Sequence, residues 1–148
     1  MKNHTIDNIV DNLFYVMPIV HKKLLKIEPP ETPPNANLSR IQVAILGIID
    51  NEGSLPISEI AKKLLIPKPQ MTYLINNLVK SGLVEKRPDP KDKRVTNVAL
   101  TPAGKATFRQ FVEFLKGQLR KNLSYLTEKE LEELSQLLTK LKELIIRH

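Results

Sequence analysis

The chain contains no cysteine, which excludes disulfides, thiolate zinc sites, cysteine nucleophiles and thiol-based redox sensing within it. Tryptophan is also absent, aromatic residues make up 5% of the chain, and there are five glycines among 148 residues. That composition argues against an aromatic-lined or glycine-rich architecture. Long hydrophobic runs are missing too. The longest, Leu13 to Val20, is interrupted by Pro18 and falls far short of the roughly 20 residues a membrane helix needs. Asp7 and Asp11 lie where a secretory leader would be basic and then apolar, so a cytoplasmic chain without membrane association is expected. The three histidines, His4, His21 and His148, lie near the ends, with no HExxH pair, nucleophile elbow or glycine-rich phosphate loop. An enzyme is not expected on these grounds, and neither is a bound metal or cofactor.

What the chain does have is positive charge in one place. Its formal net charge is +7, at 41% hydrophobic and 26% charged residues, a composition ordinary for a globular chain. Between Ser58 and Lys105 there are ten Lys or Arg against four Asp or Glu. Met1 to Ile57 carries five against six, and Ala106 to His148 eight against six. Concentrated charge favours polyanions such as nucleic acid or anionic lipid. A basic surface kept only for solubility is the alternative that composition leaves open. Binding to a membrane surface fits poorly, because the basic residues have no matching exposed apolar face.

Hydrophobic spacing divides the chain into three zones. In the first, Ile6, Ile9, Val10, Leu13, Phe14, Met17, Val20, Leu24 and Ile27 recur at helical spacing, predicting one helix that Pro18 should kink. It must end before Glu28, because EPPETPPNAN holds four prolines and reads as an extended linker. In the second zone, Ser39 and Gln42 form a capping box ahead of Ile41, Ala44, Ile45, Ile48 and Ile49, and Asn51-Glu52-Gly53 supplies a stop. A short helix from Ile57 to Leu65 follows, with Ile60, Ala61 and Leu64 inward. Next come a turn through Pro67 and Pro69 and a helix to about Ser81, capped by Gly82. Leu83–Lys86 and Val95–Leu100 read as two strands joined by the polar loop Arg87–Arg94. The third zone is two helices. Thr101-Pro102 starts the first, which carries Phe108, Phe111, Val112, Leu115, Leu119 and Leu123. Thr127 and Glu130 cap the second, which carries Leu131, Leu134, Leu137, Leu138, Leu141, Leu144 and Ile145.

The helix beginning at Lys68 shows two faces. Met71, Leu74, Ile75, Leu78 and Val79 form its expected buried side, and Gln70, Thr72, Tyr73, Asn76 and Lys80 its polar side. Such a helix fits a B-DNA major groove, where Gln or Asn can pair bidentately with adenine and Thr can touch a thymine methyl. Lys68, in the first turn, would reach a phosphate or a guanine edge. In the loop, Lys91, Lys93 and Arg94 are expected to reach a minor groove. Carboxylates repel phosphate, so Asp89 and Asp92 are expected to pair with Arg or Lys and hold the loop in shape. The apolar stripes of the first and third zones must be covered. A bundle within one chain would cover them, but the short supply of other elements favours a second copy. Leu13, Met17, Leu115, Leu119, Leu134, Leu138, Leu141 and Ile145 would then form a homodimer interface.

The ordered string LSRIQVAIL, ISEIAKKLLI, KPQMTYLINNLVKSGLVEKRPDPKDKR and VALTPAGK, from Leu38 to Lys105, resembles the MarR family of winged-helix transcription regulators. The resemblance implies a mainly α chain. Residues 1–37 would be a dimerisation helix and linker, 38–101 a winged helix-turn-helix with a two- to three-stranded β-wing, and 102–148 further dimerisation helices. It also implies a homodimeric repressor of a pseudo-palindromic double-stranded operator, with Asp92 an organiser and Arg94 a DNA contact. A small, often aromatic, anionic effector belongs to the same picture, and the residues do not say where it binds. Three features depart from the family pattern: the proline-rich linker, Pro56 at a capping position, and Lys93 where arginine is frequent. A winged helix serving as a protein-interaction module is the alternative; it would need an apolar patch on the exposed side of the Lys68 helix, where only Tyr73 stands.

Overall fold

A computed structural model of the chain describes residues 1–26 and 37–148. Ile27 and nearly all of the expected proline-rich linker therefore lie outside the described residues. In order, the elements are α1 (Lys2–Lys23), α2 (Arg40–Glu52), β1 (Ser54–Pro56), α3 (Ile57–Leu64), α4 (Lys68–Lys80), β2 (Val84–Pro88), β3 (Thr96–Leu100), α5 (Pro102–Leu123) and α6 (Glu128–Ile146). The chain is mainly helical, as expected, and it falls into two units. One holds α1 and the chain from Leu115 onward; the other runs through α2 to Phe114.

The second unit is a winged helix. Its three strands form an antiparallel sheet in the order β1-β3-β2. Val98 at the centre of β3 sits between Leu55 and Lys86, and Ala99 between Ser54 and Glu85. Strand β1 did not register as a strand in the sequence: three residues ending in proline carry no period, and their ladder depends on the distant β3. As an edge strand it tolerates Pro56, which has no N–H to donate. Ile45, Leu46 and Ile49 of α2 meet Ile60 of α3, Met71, Ile75 and Leu78 of α4, and Val84 and Val98 of the sheet in one core. Each such side chain contributes about 1.5–3 kcal/mol by leaving water.

Two expected faces shift slightly. On α2, Ile41 is 39% exposed whereas Leu46 is 1% exposed. The helix is apolar nearly all round, so periodicity could not choose its inward face. On α4, Val79 is 36% exposed, because at 3.6 residues per turn it lies roughly 80° from Met71, the middle of the buried stripe.

Helix ends follow the local chemistry. Ser39 N–H donates to Gln42 Oε1 at 3.0 Å and Gln42 N–H to Ser39 Oγ at 3.1 Å, closing the capping box. After α3, Leu65 takes a left-handed conformation at φ 55°, and Ile66 N–H reaches back to the Ala61 carbonyl at 3.0 Å. Ile66 then packs against the core, the apolar contact that accompanies this helix ending. Helix α4 ends in the same way. Gly82 has φ 74°, and Leu83 N–H donates to the Leu78 carbonyl at 3.0 Å.

The corner after α4 is tied directly to the start of α5. Thr101 Oγ donates to the Gly82 carbonyl at 2.6 Å and accepts from Gly104 N–H at 3.0 Å. Thr101 N–H donates to the Leu83 carbonyl at 3.1 Å. Gly104 packs so closely there that a Cβ would lie 1.9 Å from the Leu83 oxygen. The Thr-Pro-Ala-Gly sequence is thus both a helix start and a backbone-to-backbone contact.

In the first unit, neither α1 nor α6 buries a residue. Helix α1 continues through Pro18. Its end is held by Asn122 of α5, whose amide donates to the carbonyls of Leu24 at 2.8 Å and Lys26 at 2.7 Å. Thr127 and Glu130 bond reciprocally at the start of α6, at 3.0 and 3.2 Å, and the Thr127 N–H holds the Glu130 carboxyl below its ordinary value. No helix among the described residues is long and apolar enough to cross a membrane.

Two glycine substitutions separate close packing from backbone conformation. Gly104→Ala should destabilise the chain by about 1–3 kcal/mol or more, since backbone cannot give way as a side chain can. Gly82→Ala, which meets nothing within 4 Å, should cost about 1 kcal/mol through its positive φ alone. Denaturant melts check the order; equal losses would mean that α5 simply shifts away from Leu83.

Candidate nucleic-acid interface

Helix α4 is anchored by Met71, Ile75 and Leu78, each fully buried, so its opposite face must point to solvent. Lys68, Gln70, Tyr73 and Lys80 are exposed there, and Thr72 and Asn76 are half-buried. Tyr73, at 65% exposure, is the large apolar body on that face. Asn76 has a partner that the sequence did not suggest. Lys86 Nζ of β2 donates to its Oδ1 at 2.6 Å. In this arrangement the Lys86 ammonium takes one of the two lone pairs of the amide oxygen and fixes which way the amide faces.

Strand β2 runs two residues further than expected, to Pro88, while β3 starts one residue later, at Thr96, so Arg87 lies in β2 and pairs with Glu85 on the same side of the strand. The remaining loop is organised by two carboxylates in different ways. Asp92 grips Arg94: its Oδ1 accepts from the Arg94 backbone N–H at 3.0 Å and from Nε at 3.1 Å, and its Oδ2 accepts from Nη2 at 3.2 Å. Asp89 takes no basic side chain, contrary to expectation. Its Oδ1 accepts from the backbone N–H groups of Lys91 at 2.8 Å and Asp92 at 3.0 Å, and its Oδ2 from Asn97 Nδ2 at 3.1 Å. A short acidic side chain two residues before a free N–H closes such a turn more readily than it reaches a long flexible cation. The Arg94 side chain nevertheless stays 91% exposed. Its remaining N–H groups are free to meet an acceptor, with the guanidinium already oriented.

The wing and the helices meet around a small cleft of about 160 Å³ lined by Pro56, Ile57, Ser58, Lys68, Arg94, Val95 and Thr96. It brings Lys68, from the start of α4, together with Arg94 of the wing, and adds the hydroxyls of Ser58 and Thr96. Sequence reasoning missed both hydroxyls, since no local pattern joins residues from α3 and β3. Two cations and two hydroxyls around a space of this size suit one phosphate group. Lys91 and Lys93 are exposed on the wing. Elsewhere the basic residues are partly offset: Lys62 pairs with Glu59 at 3.7 Å and Lys63 with Glu52 at 3.5 Å. Arg87, Lys105 and Arg109 line a separate cleft with Asp50. Among the described residues no cluster of three or more His, Asp or Glu could hold a metal ion.

A helix-turn-helix followed by a two-stranded wing, with a polar face on the second helix, defines a winged helix-turn-helix protein. The MarR family model matches residues 36–95. The chain is 28% identical over 120 residues to the HTH-type transcriptional repressor MdtR of Bacillus subtilis (strain 168), a match covering 80% of this chain and 77% of that one. It is 30% identical to a MepR like protein solved in complex with pseudoligands, covering 95% of each chain with a TM-score of 0.54. The reduced form of MarR from E. coli is 29% identical, covering 87% of this chain and 95% of that one with a TM-score of 0.65. The chain belongs to the MarR family.

The wing carboxylates make a pH prediction with a definite sign. Asp89 is held below the ordinary aspartate value of 3.8 chiefly by the Lys91 N–H, then by Asn97 and the Asp92 N–H. Asp92 is held below it by the Arg94 side chain and then the Arg94 N–H. A lowered folded value means that the ordering these groups supply is complete above the unfolded value and is lost as pH falls through the folded one. The amide resonances of Lys91, Asp92 and Arg94 should therefore hold steady from neutral pH to about pH 5 and move only in stronger acid. Movement near neutral pH would show that something other than these carboxylates holds the loop.

Proposed function

We propose that this chain is a homodimeric, sequence-specific DNA-binding transcriptional repressor. In this reading, residues 38–101 contact DNA, and residues 1–37 and 102–148 hold two copies together. Lys68, Gln70, Thr72, Tyr73, Asn76 and Lys80 face the major groove. Lys91, Lys93 and Arg94 reach the flanking minor groove, and Asp89 and Asp92 keep the wing in shape. The observation that carries the reading is the cleft shared by Lys68 and Arg94: helix and wing present cations to one point, as a continuous phosphate backbone passing both would require. Repression is supported by the relative MdtR, named as a repressor.

The second copy is supported by apolar surface. Leu13, Met17, Leu138, Leu141 and Ile145 are each at least 50% exposed, and Leu115, Leu119 and Leu134 are only partly covered. Surface of that kind on two amphipathic helices needs a partner. Two-fold symmetry then places two α4 helices about one DNA turn apart, roughly 34 Å, and the operator is a pseudo-palindrome. Control by a small aromatic or anionic effector extends the same reading, supported by the similar MepR like protein that was solved with pseudoligands. Such an effector must bind the non-DNA-binding arrangement of the dimer more tightly than the DNA-bound one.

Binding of the full chain to its own upstream intergenic DNA and to a scrambled duplex, each titrated with salt, tests the proposal. Both affinities should fall steeply as salt rises, because counterions are released. The native duplex should keep its advantage at physiological salt, with one dimer per site. Absence of binding even at low salt would overturn the reading in favour of a protein-interaction module. Arg94→Ala should weaken binding with the fold intact; unchanged affinity in a folded variant would remove Arg94 from the interface. Leu141→Glu should convert the dimer to monomer in sedimentation and abolish specific binding, whereas an undisturbed dimer would place the interface elsewhere.

A further inference from the structure

The sheet has a face turned away from α4, and a second basic cleft lies there. Ser54 of β1, Ala99 of β3 and Glu85 of β2 stand opposite one another, so their side chains share one face, and Arg87, two residues after Glu85, joins them. Lys86 lies between these two, on the other face, where its ammonium meets Asn76 of α4. Ser54, Arg87 and Ala99 therefore point away from α4. With Asp50 of α2 and Lys105 and Arg109 of α5 they line a cleft of about 420 Å³, a volume within the range of small-ligand sites. Every lining residue belongs to the winged-helix unit.

The charges here are not arranged for stability. Lys105 lies in the first turn of α5, which holds no acidic residue, and a cation there meets the positive end of the helix dipole. Arg109 follows four residues later, where like charges repel. Asp50 lines the same cleft, yet the side chains of Asp50, Lys105 and Arg109 form no hydrogen bond or ion pair among the described residues. Arg87 is held by Glu85, which accepts from its Nε and Nη2. Its remaining N–H groups are free and already oriented. Even with Glu85 counted, cations outnumber carboxylates around the cleft.

We propose that this cleft binds a small phosphate monoester that also carries a hydroxyl group. Arg87, Lys105 and Arg109 can only donate, and donors arriving from two elements suit the three terminal oxygens of a phosphate better than the two of a carboxylate. The Asp50 carboxylate can only accept, so it takes a hydroxyl from the rest of the ligand and repels a phosphate placed against it. Ser54 can serve either group. Because the cleft opens away from α4, its ligand does not occupy the helix proposed to read DNA.

Amide resonances of the full chain, followed during titration with glycerol phosphate and with methyl phosphate, test the proposal; the methyl ester has no hydroxyl. Ionic strength is held constant with potassium chloride, and each variant is checked for an unchanged melting curve. Saturable shifts should appear at Gly53, Ser54, Ala99 and Lys105, with glycerol phosphate binding about ten-fold tighter than methyl phosphate. Exchanging Lys105→Gln and Arg109→Gln together should weaken both ligands by about ten-fold or more, whereas Arg94→Ala should leave them unchanged at these amides. Asp50→Ala should tighten methyl phosphate and remove the advantage of glycerol phosphate. Shifts confined to Ser58, Lys68 and Thr96, or shifts that never saturate, would overturn the site. Equal binding of the two esters by the parent, or an advantage that survives Asp50→Ala, would overturn the ligand class. None of these readouts involves DNA, so their failure would leave the proposed function standing.

Discussion

Two carbonyl oxygens, those of Gly82 and Leu83, are the point on which the winged helix turns. They mark where α4 stops and β2 begins, and both are claimed by residues at the start of α5: Thr101 bonds Gly82 through its hydroxyl and Leu83 through its N–H. Gly104 packs against the Leu83 carbonyl with no room for a side chain. Because β3 runs directly into Thr101, this corner fixes the exit of α4, the first residue of β2, the last of β3 and the entry to α5. The candidate reading helix and the wing are consequently referenced to one backbone contact. A wing hung on α4 by side chains alone would inherit the rotameric freedom of those side chains.

From that corner outward, acidic residues position basic ones. The middle of the chain has four carboxylates against ten cations. Of these four, Asp89 shapes the turn, Asp92 orients Arg94, Glu85 pairs with Arg87, and Glu59 lies beside Lys62. The exposed pairs add little stability, since solvent screens them. Their effect is on entropy and direction: a guanidinium already held in a plane has less freedom to lose on meeting an acceptor. The three charges of the wing tip and the two charges around the small cleft are therefore not equivalent. Arg94 is held in place by Asp92, whereas Lys91 and Lys93 stand exposed on the wing.

How much of this was legible in the sequence depended on the distance between partners along the chain. Ser39 with Gln42 and Thr127 with Glu130 were readable, because a capping box closes within three residues. Gly82 was readable because a helix ending there needs a left-handed residue. The order of motifs that marks the MarR family was readable as well. Strand β1 was not, since its ladder is made with residues more than forty positions away. Neither was the inward face of α2, whose apolar residues surround the helix. Asp89 was assigned to a basic partner on charge alone, while its nearest donors are backbone groups that every sequence carries and none displays. Asn122 joins the end of α1 from 98 residues away, and Lys86 reaches Asn76 from ten. Neither bond has a local signature. The alternating pattern of β2 explains only in retrospect why a lysine two residues after a buried valine comes up beside α4.

The two units differ in what holds them together. The winged helix closes its own core, with nine side chains below 2% exposure or near it drawn from α2, α3, α4 and the sheet. In α1 and α6 no residue is buried, although Ile9, Leu13, Phe14, Met17, Leu138, Leu141 and Ile145 all carry apolar bodies at 50% exposure or more. Helices of this length gain most of their stability in proteins from packing of an apolar face, and the Asn122 bonds and the Thr127 cap secure helix ends without covering those faces. In the proposed homodimer such a unit would draw its remaining stability from association, and its folding free energy would then depend on protomer concentration while that of the winged helix would not. In the proposed dimer, whose two copies would present two α4 helices at a fixed spacing, that difference is useful: α4 rests on a closed core, and the geometry between copies would rest on the unit whose apolar faces are open.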